Sequence, residues 1–159
     1  MATDNLEKAR EIYRLITRTM DEENWKYSGD ESKLSLSSAA RGDDIPIDLH
    51  IDIDPDRQFI TLLSLLPFTT PEDKRLEMAI AISKINYMLV DGCFDYDIKN
   101  GRTFFRMTIN YRGSRLGRDL IMYMLLVSCQ TVDDYNDTLL LLVKGIISLD
   151  AFLKKIDED

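Results

Sequence analysis

The sequence predicts an α+β fold in which helices flank one antiparallel sheet, in the order α-β-β-β-α-β-β-α followed by further C-terminal helices. Three observations lead to this prediction: a helical period near the amino end, strict alternation of apolar and polar residues over 45–53, and the pair Asn100-Gly101 between two alternating runs. With 159 residues, 45% of them hydrophobic, the chain is long enough to fold as one domain, 1–159, around an apolar core.

The first helix is predicted to begin at Asp4, with Glu7 three residues later as its capping-box partner. Apolar side chains then recur at helical spacing as far as Met20. The period changes to two after this helix, which predicts a short strand over 25–28 and leaves 33–38 open as a second one.

The clearest strand prediction covers 45–53, where isoleucine and leucine alternate with proline, aspartate and histidine. This pattern indicates one buried face and one solvated face. Residues 54–57 read Asp-Pro-Asp-Arg and predict a turn. The leucine-rich run 58–65 is therefore expected to pair back as a hairpin and to be covered on both faces.

The second long helix is predicted from Thr70, a capping hydroxyl followed by proline, to about Leu89. It is apolar on two opposed sides. One stripe consists of Leu76, Ile80, Ser83 and Tyr87, and the other of Met78, Ile82, Ile85 and Leu89. Such a helix must be covered twice, once by the sheet and once by something else.

The Asn-Gly pair predicts a hairpin with a two-residue type I′ turn, because glycine and asparagine tolerate the positive φ angles that this turn requires. Counting back from the turn places Phe94 opposite Met107 on one face. The same register places Asp95 opposite Arg106 on the other face, where their charges attract.

The C-terminal part is predicted to be helical. An apolar helix is expected over 118–129 and a second helix over 132–144, with Leu140 and Leu141 on its otherwise polar side. Gly145 is typical of a helix end, and a short closing helix follows it.

Two short patterns in this half of the chain are similar to a known family. The first is Ile82-Ser83-Lys84-Ile85-Asn86-Tyr87, then Gly92, Phe94, Asp97 and the Asn-Gly turn; the second, over 142–150, places a glycine before a Ser-capped final helix. Over roughly 76–152 the chain resembles YbjN-like proteins, a family labelled as bacterial sensory transduction regulators. That family shares its fold with type III secretion chaperones, which are small, acidic, dimeric proteins that hold clients in extended form. The resemblance implies this fold and dimerisation, and it brings no catalytic residues.

Charge and composition exclude several functional classes. The chain has 28 acidic and 20 basic residues, a net charge of -8, which argues against nucleic acid as a partner. Its longest uncharged apolar stretch, 120–132, is shorter than the ~20 residues of a membrane span. Cys93 and Cys129 are the two cysteines, and the amino end is polar and acidic rather than a signal peptide. We therefore expect a cytoplasmic protein with no cofactor.

One cluster offers candidate chemistry. Asp48, His50 and Asp52 share the polar face of the predicted strand, and carboxylates with histidine are suitable metal ligands. However, His50 is the one histidine in the protein, and a calcium loop starting at Asp52 has the wrong residues at its glycine and closing positions. A solvated strand face is the favoured interpretation, so no catalytic residue is predicted. A small metal- or ligand-binding enzyme that uses this face is the alternative.

The apolar surplus is the strongest functional signal in the sequence. It predicts a partner or dimer surface made of Met78, Ile82, Ile85, Leu89, Leu140 and Leu141. The competing explanation is that the C-terminal helices cover these positions within one monomer. The function predicted from this surplus is a non-enzymatic, homodimeric, chaperone-like or regulatory protein that binds another polypeptide.

Overall fold

The computed structural model describes the backbone of residues 2–158 and the side chains of residues 4–158. The helices in this part of the chain are α1 (Ala2–Glu22), α2 (Arg75–Met88), α3 (Arg118–Val143) and α4 (Leu149–Glu158), and a 3-10 turn, Glu72–Lys74, precedes α2. The strands are β1 (Tyr27–Asp30), β2 (Ser35–Arg41), β3 (Pro46–Asp54), β4 (Phe59–Thr69), β5 (Cys93–Asp97) and β6 (Arg102–Asn110). They form one antiparallel sheet in the order β1-β2-β3-β4-β6-β5. The predicted fold class is confirmed.

All four helices lie on one side of the sheet. The long helix α3 packs on β3, β4 and β6, while α1 packs on β3 and on α3. At the other end, α2 packs on β5, and α4 closes against α2 and α3. The core therefore lies between the sheet and this single helical layer, and the opposite face of the sheet carries no helix in the described chain.

The strand β3 shows why the sheet has two unlike faces. Ile47, Leu49, Ile51 and Ile53 are buried towards the helices, and the residues between them are exposed or half-buried. Successive side chains of a strand point to opposite faces, so the alternation read from the sequence is realised directly. In β4 the helix-facing Leu62 is fully buried, whereas Leu65 points to the open face and is 47% exposed. The expected cover on both faces of this run is thus present on one face only.

Four strands rather than three precede α2, because the segment left open at 33–38 belongs to β2. A tight connection makes this pairing possible: the Asp30 side chain accepts a hydrogen bond from the Ser32 backbone N–H at 3.0 Å. Further along, the indole of Trp25 donates to the hydroxyl of Ser38 at 2.8 Å and holds the start of β1 against β2. The sheet consequently extends one strand further at this edge than the sequence pattern indicated.

The hairpin of β5 and β6 has a different register from the predicted one. Phe94 lies opposite Phe105, not opposite Met107. The difference is two residues, so every side chain stays on its predicted face. Asp95 therefore still neighbours Arg106, whose Nε donates to its carboxylate at 2.5 Å.

The Asp97 side chain explains this register. Its carboxylate accepts hydrogen bonds from the Lys99 backbone N–H at 2.9 Å and from the Asn100 side chain at 2.6 Å. These bonds organise a loop of four residues, 98–101, in which only Gly101 has a positive φ, +72°. A type I′ turn needs positive φ at two central residues, so the two-residue turn does not form.

The two C-terminal helices predicted over 118–129 and 132–144 are one continuous helix. No glycine or proline interrupts α3 along its 26 residues. At the expected break, the buried Ser128 hydroxyl donates to the Met124 carbonyl at 2.7 Å, a bond that lies within the helix. The polar residues that suggested a break are therefore accommodated without ending the helix.

The edge strand β5 is tied to α2 by one side chain. The Asn86 amide donates to the Phe94 carbonyl at 2.9 Å, and its oxygen accepts from the Phe94 backbone N–H at 2.8 Å. This pair of bonds satisfies strand groups that have no neighbouring strand on that side. The asparagine thus serves as a substitute strand partner.

We expect Asn86→Ala to lower the free energy of unfolding by about 1–3 kcal/mol, because it leaves the two Phe94 backbone groups unpaired. Equilibrium urea denaturation measures this change. Ser83→Ala, at an exposed position of the same helix, is the control and is expected to change stability by less than about 0.5 kcal/mol. An unchanged unfolding midpoint for Asn86→Ala would show that these bonds contribute nothing.

Candidate functional site

The structure corrects the predicted outward stripe of α2. Met78, Ile82 and Ile85 are buried in the core of the monomer, with Met78 only 1% exposed. Leu89 is half-buried and packs against the same core. These side chains face inward because α2 must cover β5 and meet α3 and α4. They are therefore not accessible to a partner of the folded monomer.

The opposite stripe of α2 is the exposed one. Leu76 is 70% exposed and Tyr87 is 82% exposed, with Ile80 between them. Together with Leu153 of α4, Ile80 and Tyr87 line a shallow hollow of about 570 Å³. The helix is thus apolar on two sides, as the sequence indicated, but the side that the monomer covers is the reverse of the predicted one.

Leu140 and Leu141 lie in the last turn of α3 and are half-buried. The Leu141 carbonyl accepts a hydrogen bond from the Ile146 backbone N–H at 2.9 Å, which closes the helix end. Of the six residues predicted to form one surface, only Leu89, Leu140 and Leu141 keep exposed surface, because Met78, Ile82 and Ile85 are buried. The predicted six-residue surface is therefore not a single surface in the folded chain.

The open face of the sheet contains a second apolar feature, which the sequence analysis did not identify. Leu65 of β4 lies opposite Phe104 of β6, and Leu63 lies two residues away on the same face. These three side chains form the floor of a groove of about 510 Å³. Asp48 and His50 of β3 form one wall of it. We call this feature the sheet-face groove.

The polar face of β3, which carries Asp48, His50 and Asp52, lies at this wall of the groove. The pairing of β2 with β3 places Ser37 beside His50 on the same face. The His50 Nδ1 is 3.1 Å from the Ser37 hydroxyl, and its Nε2 is 3.1 Å from the Asp52 carboxylate. Both ring nitrogens are therefore occupied. Asp48 has no hydrogen-bond or ion-pair partner among the described side chains, so its carboxylate is free at the groove.

A serine, a histidine and an aspartate in contact invite comparison with a hydrolase site, but the backbone around them does not supply the remaining part. Acyl transfer needs N–H groups aimed at the developing oxyanion. Around Ser37, His50 and Asp52, the strands β2 and β3 are paired with a neighbouring strand on both sides, so the N–H groups at these positions are committed to the sheet. Among the described residues, no group of three or more histidine, cysteine or acidic side chains is arranged to hold a metal ion.

On the opposite flank of the groove, Arg106 is held by Asp95. Its Nε and Nη2 donate to the two carboxylate oxygens at 2.5 and 3.2 Å. This contact raises the pKa of Arg106, chiefly through the hydrogen bonds to Asp95. The arginine is consequently ion-paired within the chain rather than free at the surface.

Comparison with known proteins was informative only at the level of structure. No known protein family matches the chain, and no curated protein sequence does. Among solved structures, YbjN from E. coli, assigned as a candidate transcription regulator, superposes with a TM-score of 0.57 at 11% identity, over 79% of this chain and 91% of YbjN. This chain has the YbjN-like fold.

Two further solved structures, both of protein complexes, contain a chain with this fold. A chain of the ExsC–ExsE complex superposes with a TM-score of 0.60 at 11% identity, over 81% of this chain and 93% of that chain. A chain of the HopA1–SchA chaperone–effector complex gives 0.57 at 13% identity, over 82% and 97%. The chain therefore has the fold implied by the sequence resemblance, that of YbjN and of type III secretion chaperones. At these identities the likeness extends to the fold alone.

No helix in the described chain combines the length and the apolar character that crossing a membrane requires. This includes α3, whose second half carries three aspartates.

The two cysteines of this chain are not activated. Burial raises the pKa of Cys129 to about 11, with a further contribution from the negative charge of Asp133. Burial also raises the pKa of Cys93. The thiolate is the nucleophilic form of cysteine, and a raised pKa reduces its population at neutral pH. Both thiols therefore have reduced nucleophilicity.

We expect Cys129, in a Cys93→Ser variant, to react with iodoacetamide at pH 8 about 100-fold more slowly than an unperturbed cysteine, because each pKa unit lowers the thiolate fraction about tenfold. The rate should keep rising with pH towards the raised pKa of about 11. Mass spectrometry of the labelled protein measures it, and the same variant unfolded in urea is the control. Equal rates in the folded and unfolded states would contradict this assignment.

Proposed function

We propose that this protein is a non-enzymatic, chaperone-like or regulatory protein that binds a partner polypeptide in the sheet-face groove. The observation that carries the proposal is the exposure of Leu65. This residue lies on a central strand of the sheet, where apolar side chains are usually well covered. Exposed apolar surface bounded by polar residues is typical of interaction sites. The groove has this composition, with Ser37, Asp48 and His50 beside its apolar floor.

Two further observations support a binding role over a catalytic one. The structures that share the fold include the ExsC–ExsE complex and a chaperone–effector complex, in which proteins of this shape are present with another protein. In addition, the Ser37, His50 and Asp52 contacts use up both nitrogens of the ring without a set of oxyanion donors beside them. We place this binding role in the cytoplasm, in keeping with the acidic character of the sequence and its two free cysteines.

We also propose that two copies associate through the exposed stripe of α2. Leu76, Ile80 and Tyr87 follow one another along one side of the helix and lie outside the monomer core. A helix with an apolar side that its own chain leaves uncovered can bury it against the same helix of a second copy. The sheet-face groove lies on the other side of the sheet, so the two surfaces can be occupied at the same time.

For partner binding, we expect crosslinking and affinity capture from the native cell extract to enrich a specific protein with the wild-type chain and to lose it with Leu65→Ser. Leu65 is half-exposed, so its truncation removes groove surface without opening the core. Val90→Ser, at a position in the connection between α2 and β5 that is 95% exposed, is the matched control and should retain the partner. Failure of the wild-type chain to enrich any protein over a charge-matched unrelated protein would refute the proposal.

For self-association, we expect light scattering at tens of micromolar to give the mass of a dimer. The double substitution Leu76→Ser and Tyr87→Ser should give a monomer, because it removes the largest exposed apolar side chains of the stripe. The Leu65→Ser variant should remain dimeric. A wild-type chain that is strictly monomeric at this concentration would remove the dimer from the proposal.

A further inference from the structure

We infer that the occupant of the sheet-face groove is a cationic amphipathic segment, which places apolar side chains on Leu63, Leu65 and Phe104 and lysine or arginine side chains beside Asp48. This inference rests on the proposed binding function and specifies the chemistry of the partner. The inference is based on the different chemistry of the parts of the groove: the floor is apolar, whereas the flanks are polar or charged.

The floor selects apolar side chains. Leu63 and Phe104 are half-buried and Leu65 is more exposed, so each keeps surface that a ligand can cover. The three side chains come from neighbouring strands and are contiguous, because Leu65 lies directly opposite Phe104 in the sheet. Covering this floor removes apolar surface from water, which favours a segment with bulky apolar residues.

The wall on the β3 side selects positive charge. Asp48 and Asp52 point to the same face of the sheet as the groove. Two two-residue repeats of the strand separate them, and each repeat advances about 7 Å along the strand axis. Asp52 is anchored by His50, whereas Asp48 is exposed and unpaired within the described chain. Arg41, at the end of the neighbouring strand, lines a different hollow beside Asp133. An unpaired carboxylate next to an apolar floor is complementary to a lysine or arginine side chain.

The opposite flank does not offset this negative charge. Arg106 is the basic side chain nearest the floor in the strand register, since it lies opposite Leu63. Its Nε and Nη2 both donate to the Asp95 carboxylate, so the ion pair has no net charge. Arg102, further along β6 on the same face, lies opposite Asp97 and does not line the groove. Asp48 is the one acidic side chain among the lining residues, and no lysine or arginine is among them, so the groove lining is acidic in a chain whose net charge is -8.

This charge also distinguishes a cationic segment from the other possible occupants. An acidic peptide or a nucleic acid would bring negative charge to Asp48, which lowers affinity. A second copy of this chain brings a net charge of -8 and the same aspartates. The exposed stripe of α2 carries no such row of acidic side chains and is the better surface for a second copy.

The test uses three short fluorescently labelled peptides with blocked termini. In the first, leucine and lysine alternate; the second has glutamate at every lysine position; the third has serine at every leucine position. Anisotropy titrations with the full chain measure the dissociation constants. We expect the leucine–lysine peptide to bind at least about tenfold more tightly than either counterpart, because each lacks one of the two complementary features.

Variants of the chain locate the site. Asp48→Asn should weaken binding of the leucine–lysine peptide about two- to fivefold, the range for a surface ion pair, and higher salt should reduce this difference. Asp119→Asn makes the same change in net charge at a fully exposed position of α3 and should have no effect. Leu65→Ser should weaken binding about tenfold while circular dichroism shows an unchanged fold. Asp48 is exposed, so its variant remains informative even if Leu65→Ser loses stability.

Three results would overturn the inference. Equal affinity for the lysine and glutamate peptides would remove the charge selection. Binding that is unchanged in both Asp48→Asn and Leu65→Ser would place the peptide elsewhere, and a Leu65→Ser variant that becomes monomeric would assign the groove to a second copy. If affinity capture retrieves a Leu65-dependent partner while the leucine–lysine peptide does not bind, the cationic partner is refuted and the binding function stands. If neither experiment gives binding, both proposals fall.

Discussion

The pairing of β4 with β6 is the interaction on which the rest of the structure depends. It extends from Phe59 opposite Asn110 to Leu65 opposite Phe104 and joins two sets of strands that are far apart in the sequence. Because β6 occupies this position, β5 is placed at the sheet edge and α2 must run back along it. The pairing also brings Leu65 and Phe104 together, so the same ladder of hydrogen bonds that completes the sheet creates the floor of the groove.

The distribution of the helices follows from this sheet. A six-stranded sheet is wide, and α3, with 26 residues, is long enough to pack on β3, β4 and β6 together. With α1 and α2 beside it and α4 closing the layer, the helices bury most of one face. The other face then has to be polar enough to stay in water, and β3 meets this requirement with aspartate and histidine at every outward position after Pro46. On β4 the requirement is not met, since Leu63 and Leu65 point outward.

The features predicted correctly from the sequence are those set by local periodicity, and those missed depend on long-range contacts. Alternation in 45–53 predicted β3 because the side-chain period of a strand is a local property. A helical wheel shows two apolar stripes on α2 but contains no information about which one meets the sheet, so Met78 and Tyr87 were assigned to the wrong sides. The hairpin register failed because the Asp97 carboxylate organises the loop, an effect that turn preferences omit. Ser37 was missed because its contact with His50 exists only once β2 and β3 are aligned.

The acidic flank of the groove connects solubility with binding. An open sheet face with exposed leucines tends to associate with copies of itself, and charged side chains beside such surfaces reduce this tendency. Asp48 and the net charge of -8 act against association of two grooves, since each copy carries the same sign. The same charge attracts a segment of the opposite sign that also carries apolar side chains. A carboxylate neutralised within the chain, as Asp95 is by Arg106, would neither repel a second groove nor attract a cationic segment. Because Asp48 stays unpaired beside the floor, this single aspartate can fulfil both roles.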